Sequence, residues 1–169
     1  MSFPVLLIQN VVPRSLYTGI AGADVTKLSI FELNDRLKAD TLWLGDWPLC
    51  RVLLMNDAQF PWVILVPRRA GIREIYELDA ADQVQLLHES SALGRALMAD
   101  FGGEKLNIGA LGNLVPQLHV HHIVRHAADP AWPGPVWGRV PAQPYAAAAA
   151  DARIAQLRAR LTAAFPLSV

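Results

Sequence analysis

One stretch of this 169-residue chain decides the fold: Gln117-Leu118-His119-Val120-His121-His122-Ile123. Successive side chains of a β-strand point to opposite faces, so a strand here places Gln117, His119 and His121 on one face and His122 on the other. Residues two apart on a strand are separated by roughly 6.5–7 Å. Such a row can present imidazoles to adjacent phosphoryl oxygens.

Histidine in this arrangement suits phosphoryl or nucleotidyl chemistry, because neutral imidazole is nucleophilic near pH 7 and imidazolium stabilises anionic oxygens. Two other interpretations of a His-x-His pattern stay open, namely a polar sheet face exposed to water and a zinc site. A third metal ligand at suitable spacing is not evident in the sequence. Metal binding is therefore the least favoured of the three.

The flanking sequence predicts helices and strands in alternation. Ser29, as an N-cap with Glu32 three residues later, predicts a short helix that ends near Asp40. Asp79 predicts the start of a long helix, which ends at Gly102. Strands are predicted over residues 41–44, 51–55, 62–66, 105–109 and 117–125. The wholly apolar strand 62–66 is expected to be covered on both faces, by a helix and by a partner.

The connections between these strands are too short for helical crossovers. This order predicts an α+β fold, with an antiparallel sheet of about five strands and helices packed on one side. Three regions are predicted: an N-terminal arm over 1–28, a domain over 29–126, and a Trp/Pro-rich segment with a C-terminal helix over 127–169. Trp132 and Trp137 in the last region are expected to be packing anchors.

Composition excludes several classes of protein. Hydrophobic residues make up 53% of the chain and charged residues 18%, which argues against disorder. Lys+Arg and Asp+Glu both total 15, so no broad cationic face is expected for stable nucleic-acid binding. The chain lacks an apolar run of ~20 residues and a signal peptide, which predicts a cytoplasmic protein with no membrane partner. The lone Cys50 is expected to be a buried small hydrophobe.

The run from Asn107 to Arg125 resembles the signature of the histidine-triad (HIT) family of nucleotide hydrolases and transferases. That signature has Asn-x-Gly, a Gly followed by a polar residue, three histidines alternating with apolar residues, and often an arginine. The resemblance covers about residues 30–126. It implies a HIT-like fold, a nucleotide as small-molecule substrate, a homodimer, and no cofactor or metal.

The resemblance also implies roles for individual residues. His119 becomes the middle histidine, the nucleophile that forms a covalent nucleotidyl intermediate, and His121 becomes the third. Gln117 stands where the first histidine is expected. An amide can hydrogen-bond a phosphate oxygen, but it cannot become cationic at neutral pH. In a second register, kept as the minor alternative, His119 is first, His121 is the middle histidine and Ile123 is third.

The substrate-binding residues implied by the resemblance lie upstream of the histidines. Asn107 and Asn113 occupy positions near the nucleophile and the phosphates, while Gly109 and Gly112 let the backbone approach the ligand. An ordinary turn is nearly as good an interpretation of the two glycines.

A second departure concerns the ribose. The family places an acid or amide before the hairpin turn and a histidine after it, and counting back from Pro67 puts these at Leu54 and Trp62. A slip of one or two residues brings Asn56 or Asp57 to the ribose instead. Both residues are also ordinary turn formers.

Two hypotheses follow. The first is an enzyme, a nucleotide phosphohydrolase or nucleotidyl transferase acting on a nucleoside phosphoramidate, a dinucleoside polyphosphate or a related ester through a nucleotidyl-histidine. The second is a catalytically weak or inactive nucleotide-binding dimeric protein that keeps the fold. Two interpretations of Arg125 stay open, a contact with a phosphate and, as the favoured one, a solvated surface arginine.

Overall fold

The computed structural model describes residues 30–169. The predicted arm and Ser29 lie outside the described residues. The elements, in chain order, are α1 (Asp35–Asp40), β1 (Thr41–Asp46), β2 (Cys50–Met55), β3 (Trp62–Pro67), a short 3₁₀ turn (Ile75–Glu77), α2 (Ala80–Phe101), β4 (Lys105–Ala110), β5 (Val120–Arg125) and α3 (Ala147–Thr162).

The five strands form one antiparallel sheet in the order β1-β2-β3-β5-β4. This confirms the predicted α+β fold class. Strand β5 lies inside the sheet, with Ile64 of β3 opposite His121 on one side and Gly109 of β4 opposite it on the other. The histidines are therefore carried by an interior strand.

Each face of the sheet carries its own hydrophobic cluster. The long helices α2 and α3 pack on one face, where Leu54, Val63 and Leu65 meet Leu93 and Leu157. Burying one such side chain contributes roughly 1.5–3 kcal/mol. The opposite face is covered by α1 and by the segment after β5. Its main residues are Leu33, Leu37, Leu53, Phe60, Trp62, Ile64, Val66, Ile123, Ala131 and Val136.

All six residues of β3 are buried, as the apolar run predicts. The expected partner on the second face is wrong, because residues of this same chain cover it. Ala131 and Val136 from the Trp/Pro-rich segment pack there beside Leu37 of α1.

The helix starts show where local signals succeed and fail. Asp79 caps α2 through a 2.8 Å hydrogen bond from Asp82 N–H, and Gly102 ends it with φ +62°, as predicted. The start predicted for α1 is wrong, because the helix begins after Asn34, whose side chain accepts from Arg36 N–H. The side chain of Gln117 binds the backbone just before α1 and holds it outside the helix.

Glu89 joins α2 to the connection between β1 and β2. Its buried carboxylate accepts hydrogen bonds from Leu49 N–H at 2.8 Å and Cys50 N–H at 3.0 Å. Burial, reinforced by the Glu89 carboxylate, raises the pKa of the Cys50 thiol. Cys50 is thus a buried, protonated thiol.

Within residues 30–169, none of the helices has both the length and the apolar character needed to cross a membrane.

We expect Glu89→Ala to lower the free energy of unfolding by about 2–4 kcal/mol, because it leaves two buried N–H groups without an acceptor. Glu89→Gln keeps one acceptor oxygen and should lose less. Urea denaturation measures both, with the exposed Glu32→Ala as control. Equal stability of Glu89→Ala and wild type would contradict the structural role of the carboxylate.

Candidate functional site

His119 lies just before β5 and is 6% exposed. Its Nδ1 is 2.7 Å from the backbone carbonyl oxygen of Gln117. A carbonyl oxygen only accepts hydrogen bonds, so Nδ1 carries the proton in this contact. The lone pair of neutral His119 is therefore on Nε2, which is the arrangement that a nucleophile needs.

His121 lies next to His119, with the two ring centroids 4.9 Å apart in an edge-to-face arrangement. The indole Nε1–H of Trp62 donates a 2.9 Å hydrogen bond to its Nδ1. Indole nitrogen is a donor only, so Nδ1 is the acceptor and neutral His121 carries its proton on Nε2. Burial, and then the neighbouring His119 and His122, lower the pKa of His121 to about 3.

Trp137, from the segment after β5, completes an aromatic wall around His121. Its ring centroid is 5.6 Å from that of His121 and 6.2 Å from that of Trp62. A Cβ added at Gly109 would come within 3.1 Å of Cη2 of Trp137, so the absence of a side chain at Gly109 lets the indole pack closely against β4. Trp137 thus covers the ring of His121 and also anchors the segment after β5.

His122 points to the opposite face of the sheet, as predicted. Its Nδ1 donates to the carbonyl oxygen of Val120 at 3.2 Å, and its Nε2 is 2.7 Å from the hydroxyl of Ser90 on α2. Burial lowers its pKa to about 4, although the bond to Val120 opposes the shift. His122 therefore fixes α2 against β5 as a neutral ring.

Gln117 departs from the predicted row. The strand begins at Val120, three residues later than expected, so Gln117 precedes it. Its amide nitrogen donates to the carbonyl oxygen of Glu32 and its amide oxygen accepts from Asn34 N–H, both at 2.9 Å. The structure brings His119 and His121 together and places the Gln117 side chain on the segment before α1. The catalytic roles of these three residues remain predictions.

Asn107 is held in a buried ionic network. Its side-chain oxygen accepts a 2.7 Å hydrogen bond from Arg125, whose guanidinium also binds both carboxylate oxygens of Asp129. The expected surface position of Arg125 is wrong, because this side chain is 1% exposed. Burial disfavours ionisation of Asp129, but hydrogen bonds from Arg125 and from two backbone N–H groups outweigh it and lower the carboxyl pKa.

The other predicted substrate residues surround a small cleft or lie apart from it. Gly112 lines the cleft with His119, and Asn113 is exposed on the same loop. Arg73 and Glu74 line the cleft as well, although no sequence pattern predicts either of them as a site residue.

The turn residues considered for ribose binding make other contacts. Asn56 accepts a 3.0 Å hydrogen bond from Tyr145 N–H, and buried Asp57 accepts from Gln143 N–H at 3.2 Å. Leu54 lies in the cluster under α2, on the face opposite His121. Ribose binding by Asn56 remains a prediction, and its observed contact holds the segment that leads into α3.

No group of three His, Cys, Asp or Glu side chains that could hold a metal ion occurs among residues 30–169.

The described residues thus form a five-stranded α+β domain that carries two buried, adjacent imidazoles beside a glycine-containing loop. The HIT domain model matches residues 36–128. A histidine triad protein from Marinobacter aquaeolei is 57% identical, with a TM-score of 0.78 over 79% of this chain and 98% of that one.

Two further histidine triad proteins of known structure are similar. The one from Bradyrhizobium japonicum is 48% identical, with a TM-score of 0.75 over 78% of this chain and 98% of its own. The one from Sinorhizobium meliloti is 44% identical, with a TM-score of 0.73 over 80% and 97%. The comparison with curated proteins gave no match. The chain belongs to the histidine triad family, which supports a nucleotide-processing function in general terms.

The sequence did not predict the hydrogen-bond partners of the three buried imidazoles. Trp62 was placed where the family carries a histidine, but its bond to His121 depends on pairing of β3 with β5. Ser90 lies 32 residues from His122, on another element. One feature of the sequence does indicate the role of Trp62. It stands where the family carries a histidine, and tryptophan also has a ring N–H that can donate a hydrogen bond.

We expect acidification to destabilise the protein through His122. The unfolded ring binds a proton near pH 6.5, whereas the folded ring does so only at about pH 4. Between these values the unfolded state binds more protons, so stability falls as pH falls, by about 1.4 kcal/mol per pH unit for one such group. His122→Gln should reduce the slope of unfolding free energy against pH by this amount between pH 4.5 and 6.

Urea denaturation at several pH values measures this slope, and His88→Gln, an exposed histidine on α2, is the matched control. An unchanged slope in His122→Gln would show that His122 is not held neutral by the fold.

Proposed function

We propose that this protein is a nucleotide phosphohydrolase or nucleotidyl transferase that works through a covalent nucleotidyl intermediate on His119. Its substrates are nucleoside phosphoramidates, dinucleoside polyphosphates or related compounds. The observation that carries the proposal is the 2.7 Å bond from Nδ1 of His119 to the Gln117 carbonyl oxygen, which leaves the lone pair on Nε2 of a ring that lines the cleft.

In the first step, Nε2 of His119 attacks the α-phosphorus of the substrate. A nitrogen–phosphorus bond forms, and the bond from phosphorus to the leaving group breaks with its electron pair on the leaving atom. In the second step, water attacks the same phosphorus, the electron pair returns to Nε2, and the proton of the water passes to solvent. The proton stays on Nδ1 of His119 throughout, and its hydrogen bond to the Gln117 carbonyl oxygen keeps the ring oriented.

His121 is placed to stabilise the reacting phosphoryl group. Its Nε2–H is a neutral donor, and the ring is immobilised by Trp62 and by packing against Trp137. A donor fixed in a buried site stabilises developing negative charge without rearranging during the reaction. Gln117 positions His119 through its carbonyl, and its amide joins the site to the segment before α1.

Substrate contacts are proposed for the loop around the cleft. Gly112 lines it beside His119, Asn113 follows on the same loop, and Arg73 supplies a guanidinium suited to phosphate oxygens. Asn107 and Gly109 on β4 contribute indirectly, because Asn107 accepts a hydrogen bond from Arg125 and Gly109 leaves room for the indole of Trp137.

We extend the proposal to a cytoplasmic homodimer in which the sheets join along β4. Strand β4 is at the edge of the sheet, where Ile108 is 53% exposed. The neighbouring helix α2 exposes Val84 and Leu87. Unpaired edge strands with apolar residues favour association. Light scattering should give twice the 18.5 kDa mass of one chain, and a single-chain mass would contradict the dimer.

A second function, nucleotide binding without turnover, is favoured by one observation. Gln117 cannot carry a transferable proton, and its amide is already bonded to the backbone of Glu32 and Asn34. The adduct experiment below separates the two functions.

We expect wild-type protein mixed with an adenylyl substrate to gain the mass of one adenylyl group, because the N–P adduct on Nε2 precedes attack by water. Intact mass spectrometry after a rapid acid-free quench detects the adduct, and peptide mapping should locate it on His119. His119→Ala should show no adduct and lose at least ~10³-fold in kcat.

The matched control is His88→Ala, which removes an exposed histidine and should keep adduct and turnover. Binding of the nucleotide without adduct or turnover would contradict the enzyme and favour the non-catalytic function.

A further inference from the structure

We infer that the site accepts phosphoanhydrides, whose leaving group departs as a stable phosphate anion, and rejects phosphoramidates of ordinary amines, because Trp62 holds His121 as a neutral donor that cannot give up a proton. The inference rests on the proposed function and narrows its substrate class.

The geometry at Trp62 excludes a cationic His121. The indole Nε1–H points at Nδ1 of His121 across 2.9 Å, and both groups are buried. An imidazolium carries protons on both nitrogens, so it would set two N–H groups against each other. Indole nitrogen cannot reverse its role and accept. The ring is therefore neutral, with one proton on Nε2.

The surroundings of His121 reinforce this state. The titratable rings near it are His119 on the same face and His122 on the other, and either one, when protonated, opposes a positive charge on His121. Trp62 and Trp137 supply apolar ring surface on two further sides. The pKa of His121, about 3, agrees with the geometry.

Within residues 30–169, the polar side chains that line the cleft beside the histidine pair do not supply an acid. His119 uses Nδ1 for the Gln117 carbonyl and Nε2 for phosphorus. The Gln117 amide is not acidic. Arg73 is a guanidinium that keeps its proton, and Glu74 is an exposed carboxylate that only accepts hydrogen bonds when ionised.

The chemistry of the leaving group then selects the substrate. When the P–O bond of an anhydride breaks, the electron pair stays on a phosphate oxygen, which is stable as an anion. When the P–N bond of an alkyl phosphoramidate breaks, the nitrogen must receive a proton at the same time. General acid catalysis of such a step is typically worth about 10²–10⁴-fold. A site without a group that can give up a proton does not provide this rate enhancement.

The first experiment measures kcat/KM for adenosine 5′-phosphate aryl esters with phenols of graded acidity, together with a dinucleoside polyphosphate and an alkyl phosphoramidate. We expect a steep dependence on leaving-group pKa, and at least about 10²-fold preference for the anhydride over the phosphoramidate. A shallow dependence, or comparable rates on the two end members, would overturn the inference.

Trp62→Phe tests the cause. It keeps an aromatic ring but removes the N–H, so Nδ1 of His121 can hold a proton and the ring can act as an acid. The dependence on leaving-group pKa should flatten, and the preference for the anhydride should fall about tenfold or more. Trp137→Phe is the matched control, because its ring packs equally close to His121 without bonding to it. Equal slopes for the two variants would overturn the role of Trp62.

A nitrogen-15 NMR titration measures the protonation state of His121 independently of catalysis. In wild type, Nδ1 of His121 should give the signal of an unprotonated acceptor and Nε2 that of a protonated nitrogen, with no change from pH 8 to pH 5. A doubly protonated ring in that range would overturn the inference. If no ester or anhydride is turned over and no adduct forms, the proposed function fails and the inference fails with it. Turnover with only a shallow dependence of kcat/KM on leaving-group pKa would overturn the inference and leave the proposed function standing.

Discussion

Burial of three imidazoles in and beside one interior strand is the constraint on which the rest of the structure depends. Desolvation disfavours the charged form and lowers the pKa of His121 and His122, and each of the three rings needs a partner for the nitrogen turned into the protein. His119 has the Gln117 carbonyl, His121 has the Trp62 indole, and His122 has the Val120 carbonyl with the Ser90 hydroxyl. Carbonyl oxygens accept from Nδ1 of His119 and His122, and the indole N–H donates to Nδ1 of His121. These partners determine which nitrogen of each neutral ring carries the proton.

The same constraint explains the two-sided construction of the domain. Helices α2 and α3 cover the face of His122, while α1 and the Trp/Pro-rich segment cover the face of His119 and His121. Polar side chains hold this second cover: Gln117 bonds the segment before α1, and Asn56 and Asp57 bond the backbone of the segment that leads into α3. The residues that hold this cover therefore also limit access of water to the histidine pair.

Much of this architecture is legible in the sequence. Period-two alternation, the Asp79 cap and Gly102 predict strands and the main helix within a few residues of their observed bounds. The short helix is predicted poorly, since its start is set by hydrogen bonds from Gln117, 83 and 85 residues away. The prediction that Arg125 is solvated was also wrong. Its partner Asp129 lies four residues away on irregular chain, and only the folded structure buries this ion pair. Polar contacts between residues far apart in the chain produce no periodic pattern in the sequence, so periodicity does not predict them.

The sequence by itself determined the strand pattern, the spacing that puts His119 and His121 on one face, and the resemblance to the histidine triad family. These depend on local geometry, in which every second residue shares a face. Only the tertiary structure decided which nitrogen of each ring carries the proton, and that Gln117 turns its amide away to the segment before α1. Those features depend on Trp62, Ser90 and the backbone near Glu32, which are distant in the chain and meet the histidines only when the sheet and its covers assemble.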